Sequence, residues 1–411
     1  MPGLVTEILA DYGTIPQKIS LFLKKRNGST VDQMLQNTSL TRIQVVHGLS
    51  LMIQRRFVKY FQYEKKVYYV LDVEMVYRRT YYAIYCRLIE GLFGENAAAL
   101  FMKILTNGFT KPEDVSSEEE REELVNAGMV ISVDKREASV LVTSSGGLAE
   151  YMARAKMERE IDGMSRKNRR TSEKSRFYVV DFGALDAKLV DSRLLTLVRK
   201  RYSSKAEMTY RSILRCNLVT VDTITDNLEG ETNISREDVA SHVKYFSNCG
   251  LLRKSLDCTE TYFKDGDDVR RVLVVDSLGR ILSESSKEAR RIFSMILEHR
   301  TLEDKDIVTK SLVPSYTVKK ALMMLHLNGF VVLKHSGPGE SRPVLQWEVD
   351  IDRASRVVSE KIKKMLERSW SLINQRWRHV RSSDDVEDEA DRELDCMLGL
   401  SLDLFVLGPG T

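Results

Sequence analysis

The feature that most constrains the fold is a corner that recurs four times, where a helix-like run passes at once into β-branched and aromatic residues. It reads Met52-Ile53-Gln54-Arg55-Arg56-Phe57-Val58, then Leu124-Val125-Asn126-Ala127-Gly128-Met129-Val130, then Phe246-Ser247-Asn248-Cys249-Gly250-Leu251-Leu252, then Leu325-His326-Leu327-Asn328-Gly329-Phe330-Val331. Each copy of such a repeat marks one supersecondary unit. Three copies place Gly where a left-handed helix C-cap disfavours a Cβ, and the first places Arg56 there.

Each corner is followed by two strand-like runs around a polar tip, a hairpin pattern. In the first unit, residues 57–63 and 67–71 flank Glu64-Lys65-Lys66. The later closing runs are expected at 139–143, at 272–275 after Asp265-Gly266-Asp267-Asp268, and at 344–349. Ahead of each corner lies an amphipathic stretch. Ser235-Arg236-Glu237-Asp238 reads as a capping box before Val239, Val243 and Phe246. Pro314 precedes Val318, Leu322 and Leu325, while Leu40, Ile43, Val46, Leu49 and Ile53 form the stripe of the first unit. Shorter helices are expected upstream, at 15–25 and 31–37, at 193–215 and 221–228, and at 287–298 and 303–311. In the second unit 97–105 supplies the first helix, but 109–115 is short and broken by Pro.

Three helices and a hairpin is the winged-helix order. The expected fold class is mainly α with small β-hairpin wings (α+β): four tandem winged-helix domains plus a C-terminal helical hairpin. The expected bounds are 1–73, 74–145, a basic insertion at 146–176, 177–276, 277–351, and a helical region at 352–411.

Charge matters here by segment, because the net value is only +4. Residues 154–176 carry nine Lys/Arg against four acids, including Arg166, Lys167, Arg169 and Arg170. This block reads as an arm near DNA, a nuclear-import signal or a solvated helix. Residues 353–381 carry nine basic residues and two acids, with Val357, Ile362, Met365, Leu366, Trp370 and Ile373 as an apolar face. Eight acids follow in 384–395, so a basic helix folding back on an acidic one is expected.

Winged helices touch DNA through the third helix and the wing, although many dock proteins instead. The candidate phosphate contacts are Arg42, Arg55, Arg56, Lys59, Lys65 and Lys66 in the first unit, interleaved with Tyr60 and Tyr63. Arg253 and Lys254 in the third unit and Lys319 and Lys320 in the fourth are further candidates. The second unit's third helix carries Glu118, Glu119, Glu120, Glu122 and Glu123, which repel phosphates.

No enzyme chemistry is expected. Asp181-Phe182-Gly183 matches a kinase triplet without the Gly-rich loop or catalytic-loop motif that should precede it. His242, Cys249 and Cys258 lack the spacing and fourth ligand of a zinc site, so no metal or cofactor is expected. Five scattered cysteines read as reduced thiols, and the first residues lack a signal-peptide pattern.

From Tyr12-Gly13 through Ile19, on to Gly28 and over residues 31–69, the first unit resembles the tandem winged-helix subunit peculiar to eukaryotic RNA polymerase III, related to the large subunit of transcription factor IIE. The connector Tyr77-Arg78-Arg79-Thr80-Tyr81-Tyr82 and the helix ending Leu105-Thr106-Asn107-Gly108 are similar to that family's approach to its second module. Four winged helices, a charged insertion and a C-terminal helical hairpin match its organisation over nearly the whole chain. The second module is trimmed and the C-terminal helices are shorter than in the family pattern. The resemblance implies a nuclear, non-catalytic subunit of DNA-directed RNA polymerase III, in a three-protein subcomplex with two further subunits at the clamp of the polymerase core. It implies help with initiation and promoter opening through promoter DNA and the TATA-factor initiation complex, with no membrane and no small-molecule substrate. The alternative is a multi-winged-helix DNA-binding regulator not stably bound to a polymerase.

Overall fold

The computed structural model describes residues 3–26, 28–63, 66–114, 118–134, 176–216, 219–228, 234–255, 261–335, 345–379 and 387–408. Helices dominate, with small antiparallel sheets of two or three strands, so the chain has the α+β winged-helix fold. It divides into two compact units, Met1–Asp186 with Lys364–Ser401, and Ala187–Lys363 with Leu402–Thr411.

All four corners are the same backbone motif. The amides of Phe57, Met129, Leu251 and Phe330 donate to the carbonyls of Met52, Leu124, Phe246 and Leu325 at 2.8–3.0 Å. One residue earlier, the amides of Arg56, Gly128, Gly250 and Gly329 donate to Ile53, Val125, Ser247 and His326 at 2.9–3.2 Å. This paired bonding is the Schellman cap, which requires a left-handed residue. The three glycines have φ of 73–77°, and Arg56 adopts 65° despite its Cβ. The apolar pair that accompanies the cap, Met52 with Phe57 in the first module and Leu325 with Phe330 in the fourth, is buried at every corner.

In the first unit, α1 (Leu4–Ala10) packs on α2 (Thr14–Leu23), and α2 lies on α4 (Arg42–Gln54). A Cβ on Gly48 would come within 2.6 Å of Ile19 Cδ1, so that crossing depends on a glycine. α3 (Val31–Asn37) and α4 both start with capping boxes, Thr30 with Gln33 and Thr41 with Gln44. β1 (Val58–Tyr63) pairs with β2 (Lys66–Leu71), and a bridge from Ser29 to Tyr69 adds a third edge. Of the stripe expected in the first unit, Leu40 and Leu49 are buried but Ile43 and Val46 face solvent; Val45, Gly48 and Met52 complete the buried face of α4.

α5 (Val73–Arg78), capped by Asp72, leads into α6 (Tyr82–Phe93) and α7 (Glu95–Asn107). A 3-10 turn, Pro112–Asp114, stands where a second helix would lie, because the segment is too short and Pro-broken to propagate one. α8 (Glu118–Asn126) and β3 (Val130–Asp134) follow. The run expected to close this hairpin, 139–143, lies outside the described residues; the strand paired with β3 is β4 (Arg176–Val180). The segment 135–175 therefore joins two paired strands of the second module. Val133 and Val179 form a small core with Phe109, Ile131 and Phe177, and a Thr110–Tyr178 bridge again supplies the third edge.

α9 (Phe182–Arg201) and α10 (Ser204–Arg215) replace the single helix expected over 193–215, because Ser203 breaks the run and caps α10 by accepting from the Ala206 amide. α11 (Val221–Leu228) and α12 (Arg236–Asn248) complete the third module, with Ser235 accepting from the Asp238 amide. Its wing is minimal: β5 (Arg253–Lys254) pairs with β6 (Tyr262–Phe263), with a bridge from Val219 to Tyr262. The strand expected at 272–275 is instead part of α13 (Gly266–Ser285). Asp265 caps that helix through the Asp267 amide, and Val269, Leu273, Leu278 and Leu282 are buried at helical spacing.

The fourth module is α14 (Lys287–His299), β7 (Thr301–Leu302), α15 (Asp304–Ser311), α16 (Ser315–Leu327), β8 (Val331–His335) and β9 (Leu345–Val349), with sheet order β7-β9-β8. Val318, Leu322 and Leu325 are buried as expected. α17 (Ile351–His379) and α18 (Glu387–Leu407) end the described chain. Ser355 and Ser359 donate to the Leu407 and Gly408 carbonyls, both at 2.9 Å, which sets the start of α17 beside the end of α18. Arg280 of α13 pairs with the buried Asp403 of α18. On the face expected for α17, Ile362 and Leu366 are buried, but Met365 is exposed and Val358 is buried in place of the half-buried Val357.

Candidate nucleic-acid interface

In the first module, Arg42 begins α4 and is exposed. Lys66 is also exposed, opposite Tyr63 at the tip of the hairpin. Lys65 lies outside the described residues. Arg55 sits half-buried with its guanidinium 5.7 Å over the Tyr12 ring.

Two expected contacts serve the fold instead. Arg56 Nη1 donates to the Val180 carbonyl at 3.0 Å, and its guanidinium lies 5.2 Å from the Phe182 ring centre. Burial pulls its pKa below the ordinary arginine value. Lys59 pairs with Asp72 at 2.6 Å. In the third module Arg253 pairs with Asp265 at 3.0 Å and Asp268 at 2.7 Å, leaving Lys254 exposed. The acids that hold Arg253 stand at the start of α13, in the run expected as the wing tip. Lys319 and Lys320 are exposed on α16. Arg166, Lys167, Arg169 and Arg170 lie outside the described residues.

The run Lys24-Lys25-Arg26, which is not among the candidates above, follows α2 with all three residues exposed. Three residues on, Ser29 exchanges backbone hydrogen bonds with Tyr69 at 3.0 and 2.9 Å, which brings this run to the edge of the wing. The outward face of the hairpin carries aromatic rings. Phe61 stacks on Tyr68 with centroids 5.6 Å apart, and Tyr63 meets Tyr68 edge-on at 6.5 Å. Exposed cations beside partly exposed rings can contact phosphates and stack on bases.

The remaining candidate chemistry is structural. Asp181 Oδ1 accepts from the Gly183 amide at 2.9 Å and so caps α9, which explains the Asp-Phe-Gly triplet. Tyr85 and Arg78 both donate to the Asp186 carboxylate, at 2.5 and 2.8 Å. His242 Nδ1 lies 3.0 Å from Thr209 Oγ1, and Tyr202 donates to Cys249 Sγ at 3.3 Å; Cys258 lies outside the described residues. Among the described residues no three His, Cys, Asp or Glu gather as a metal site, and no helix is long and apolar enough to cross a membrane.

Four helix–hairpin modules in series, with exposed basic residues on the third helix and wing of the first, define a tandem winged-helix protein. Residues 3–63 match the model described as the RNA polymerase III subunit RPC82 helix-turn-helix domain, and residues 119–273 match that described as RNA polymerase III subunit RPC82. The chain belongs to the RPC82 subunit family of RNA polymerase III, a component of the nuclear transcription machinery. No curated protein matches it.

Proposed function

We propose that the chain is a non-catalytic subunit that docks on the clamp of the RNA polymerase III core within a three-protein subcomplex. There it assists initiation and promoter opening, touching promoter DNA through the first module and meeting the TATA-factor initiation complex through the others. The roles of Arg42 and Lys66 as phosphate contacts belong to this proposal. The observation that supports it is the series of four winged helices in a chain of this family, with Arg42 and Lys66 exposed on the two elements that winged helices use on DNA.

Affinity purification of the full chain from its native cells, with mass spectrometry of what co-elutes, tests the reading. Recovery of the polymerase III core and two partner subunits in near-equal amounts is expected. Recovery of the chain alone, or with chromatin and no polymerase, would overturn it in favour of a free DNA-binding regulator.

A further inference from the structure

The third helix of the fourth module is built unlike a DNA-reading helix. Leu312, at the turn before it, is 84% exposed, and Tyr316, Met323 and Leu327 along it are 79%, 64% and 73% exposed. Tyr316, Met323 and Leu327 recur at spacings of seven and four, so they form one outward stripe opposite the buried Val318 and Leu325. The helical pitch sets Lys319 on one border of that stripe and Lys320 on the other. No residue of α16 is acidic. Base edges and phosphates offer almost nothing to exposed Leu and Met side chains, whereas apolar residues at this spacing, with charges on both borders, are how helices recognise one another. Leu312 is held at φ 54°, a conformation costly for a leucine. Its side chain gains nothing from the fold at that exposure.

We propose that this face of α16 docks an amphipathic helix of a partner protein, whose apolar stripe packs on Tyr316, Met323 and Leu327 and whose acidic flanks pair with Lys319 and Lys320. Charge complementarity selects that occupant: a basic or neutral helix would leave both lysines unmatched at the border of an apolar contact, where their pairing is partly desolvated. The inference rests on the reading of the chain as a subunit of a larger assembly.

The test places the photocrosslinker p-benzoylphenylalanine at Met323 in the full chain, purified with its native complex, and sequences the cross-linked peptide. A segment with acids bordering an apolar helical stripe is expected. K319E/K320E should lower the yield by about three- to tenfold, and reversing the acids of the captured segment should restore it. Cross-links to DNA, to a second copy of this chain or to a segment without acids would overturn the proposal. So would a yield unmoved by charge reversal, or no cross-link while the polymerase core is retained. Loss of the core itself from the purified material would instead count against the proposed function, with an acidic-helix cross-link still supporting the docking face. M323S and L327S, at exposed positions, should leave the melting temperature unchanged and weaken the contact, which separates docking from folding.

Discussion

Arg56 and Val180 are 124 positions apart, yet the guanidinium of the first lies 3.0 Å from the carbonyl of the second. A residue at the corner of the first module thus donates to the last residue of the strand that closes the second. The same side chain covers the Phe182 ring, and its backbone bears the left-handed conformation that glycine bears at the other three corners.

Arg56→Ala keeps the unfavourable φ and loses both contacts. We expect it to destabilise the N-terminal unit by about 2 kcal/mol, read by denaturant unfolding. Arg56→Gly loses the same contacts but relieves the backbone, so it should recover about 1 kcal/mol of that loss. Neither should change affinity for duplex DNA in the folded chain; a large loss of affinity would return Arg56 to the set of phosphate contacts.

Gly108 has φ 74°, and a Cβ there would stand 2.1 Å from the Gln54 carbonyl oxygen. Backbone cannot yield as a side-chain tip can. Gly108→Ala is therefore expected to cost at least about 2 kcal/mol. Gly91, near the end of α6 with nothing within 4 Å of its notional Cβ, provides the contrast. Gly91→Ala should stabilise by about 0.5–1 kcal/mol. Similar outcomes for the two would show that the close approach at Gly108 does not exist in solution.

The corners were legible because a Schellman cap leaves a local signature, an apolar residue, a glycine and another apolar residue at set offsets. The third edges of the sheets were not, since single bridges at Ser29, Thr110 and Val219 have no period to detect. Val272-Leu273-Val274-Val275 reads equally as strand or buried helix, and only the Asp265 cap and the two-residue wing decide it. α4 is apolar nearly all round, so spacing alone could not choose between the Ile43–Val46 and Val45–Met52 faces. Among the candidate cations, Arg42, Lys66, Lys254, Lys319 and Lys320 are exposed. The partners of Arg56, Lys59 and Arg253 lie in elements whose proximity no local pattern announces.

Burial lowers the His242 pKa from its usual value, with Asp238 opposing and Lys205 assisting. A histidine depressed in the folded state contributes stability that is present above its unfolded pKa, about 6.5, and is lost as pH falls through the folded value. The protection factors of the α12 amides, corrected for the intrinsic pH dependence of exchange, should therefore fall below about pH 6.5, and His242→Gln should flatten the dependence. An unaltered profile in the variant would assign the effect to another group.

If Arg42 and Lys66 meet phosphates as part of three or four such contacts, log affinity for duplex DNA should fall with log salt at a slope of about −3 to −4. Replacing both by Ala should reduce its magnitude by about 2, while Lys59→Ala and Arg253→Ala should leave it unchanged. Fluorescence anisotropy of the full chain across a salt series reads this directly, and a flat response in the parent chain would remove DNA contact from the first module.

The pairing of β3 with β4 sets Asp134 opposite Arg176, so the chain leaves the second module and comes back to the same spot. The basic stretch between them is a parenthesis in the polypeptide, and the path of everything downstream is indifferent to how long it is. Replacing 135–175 with an Asn-Gly turn should leave both strands in register. Whatever the stretch touches, it does so tethered at both ends to one wing, with a reach set by half its length rather than the whole.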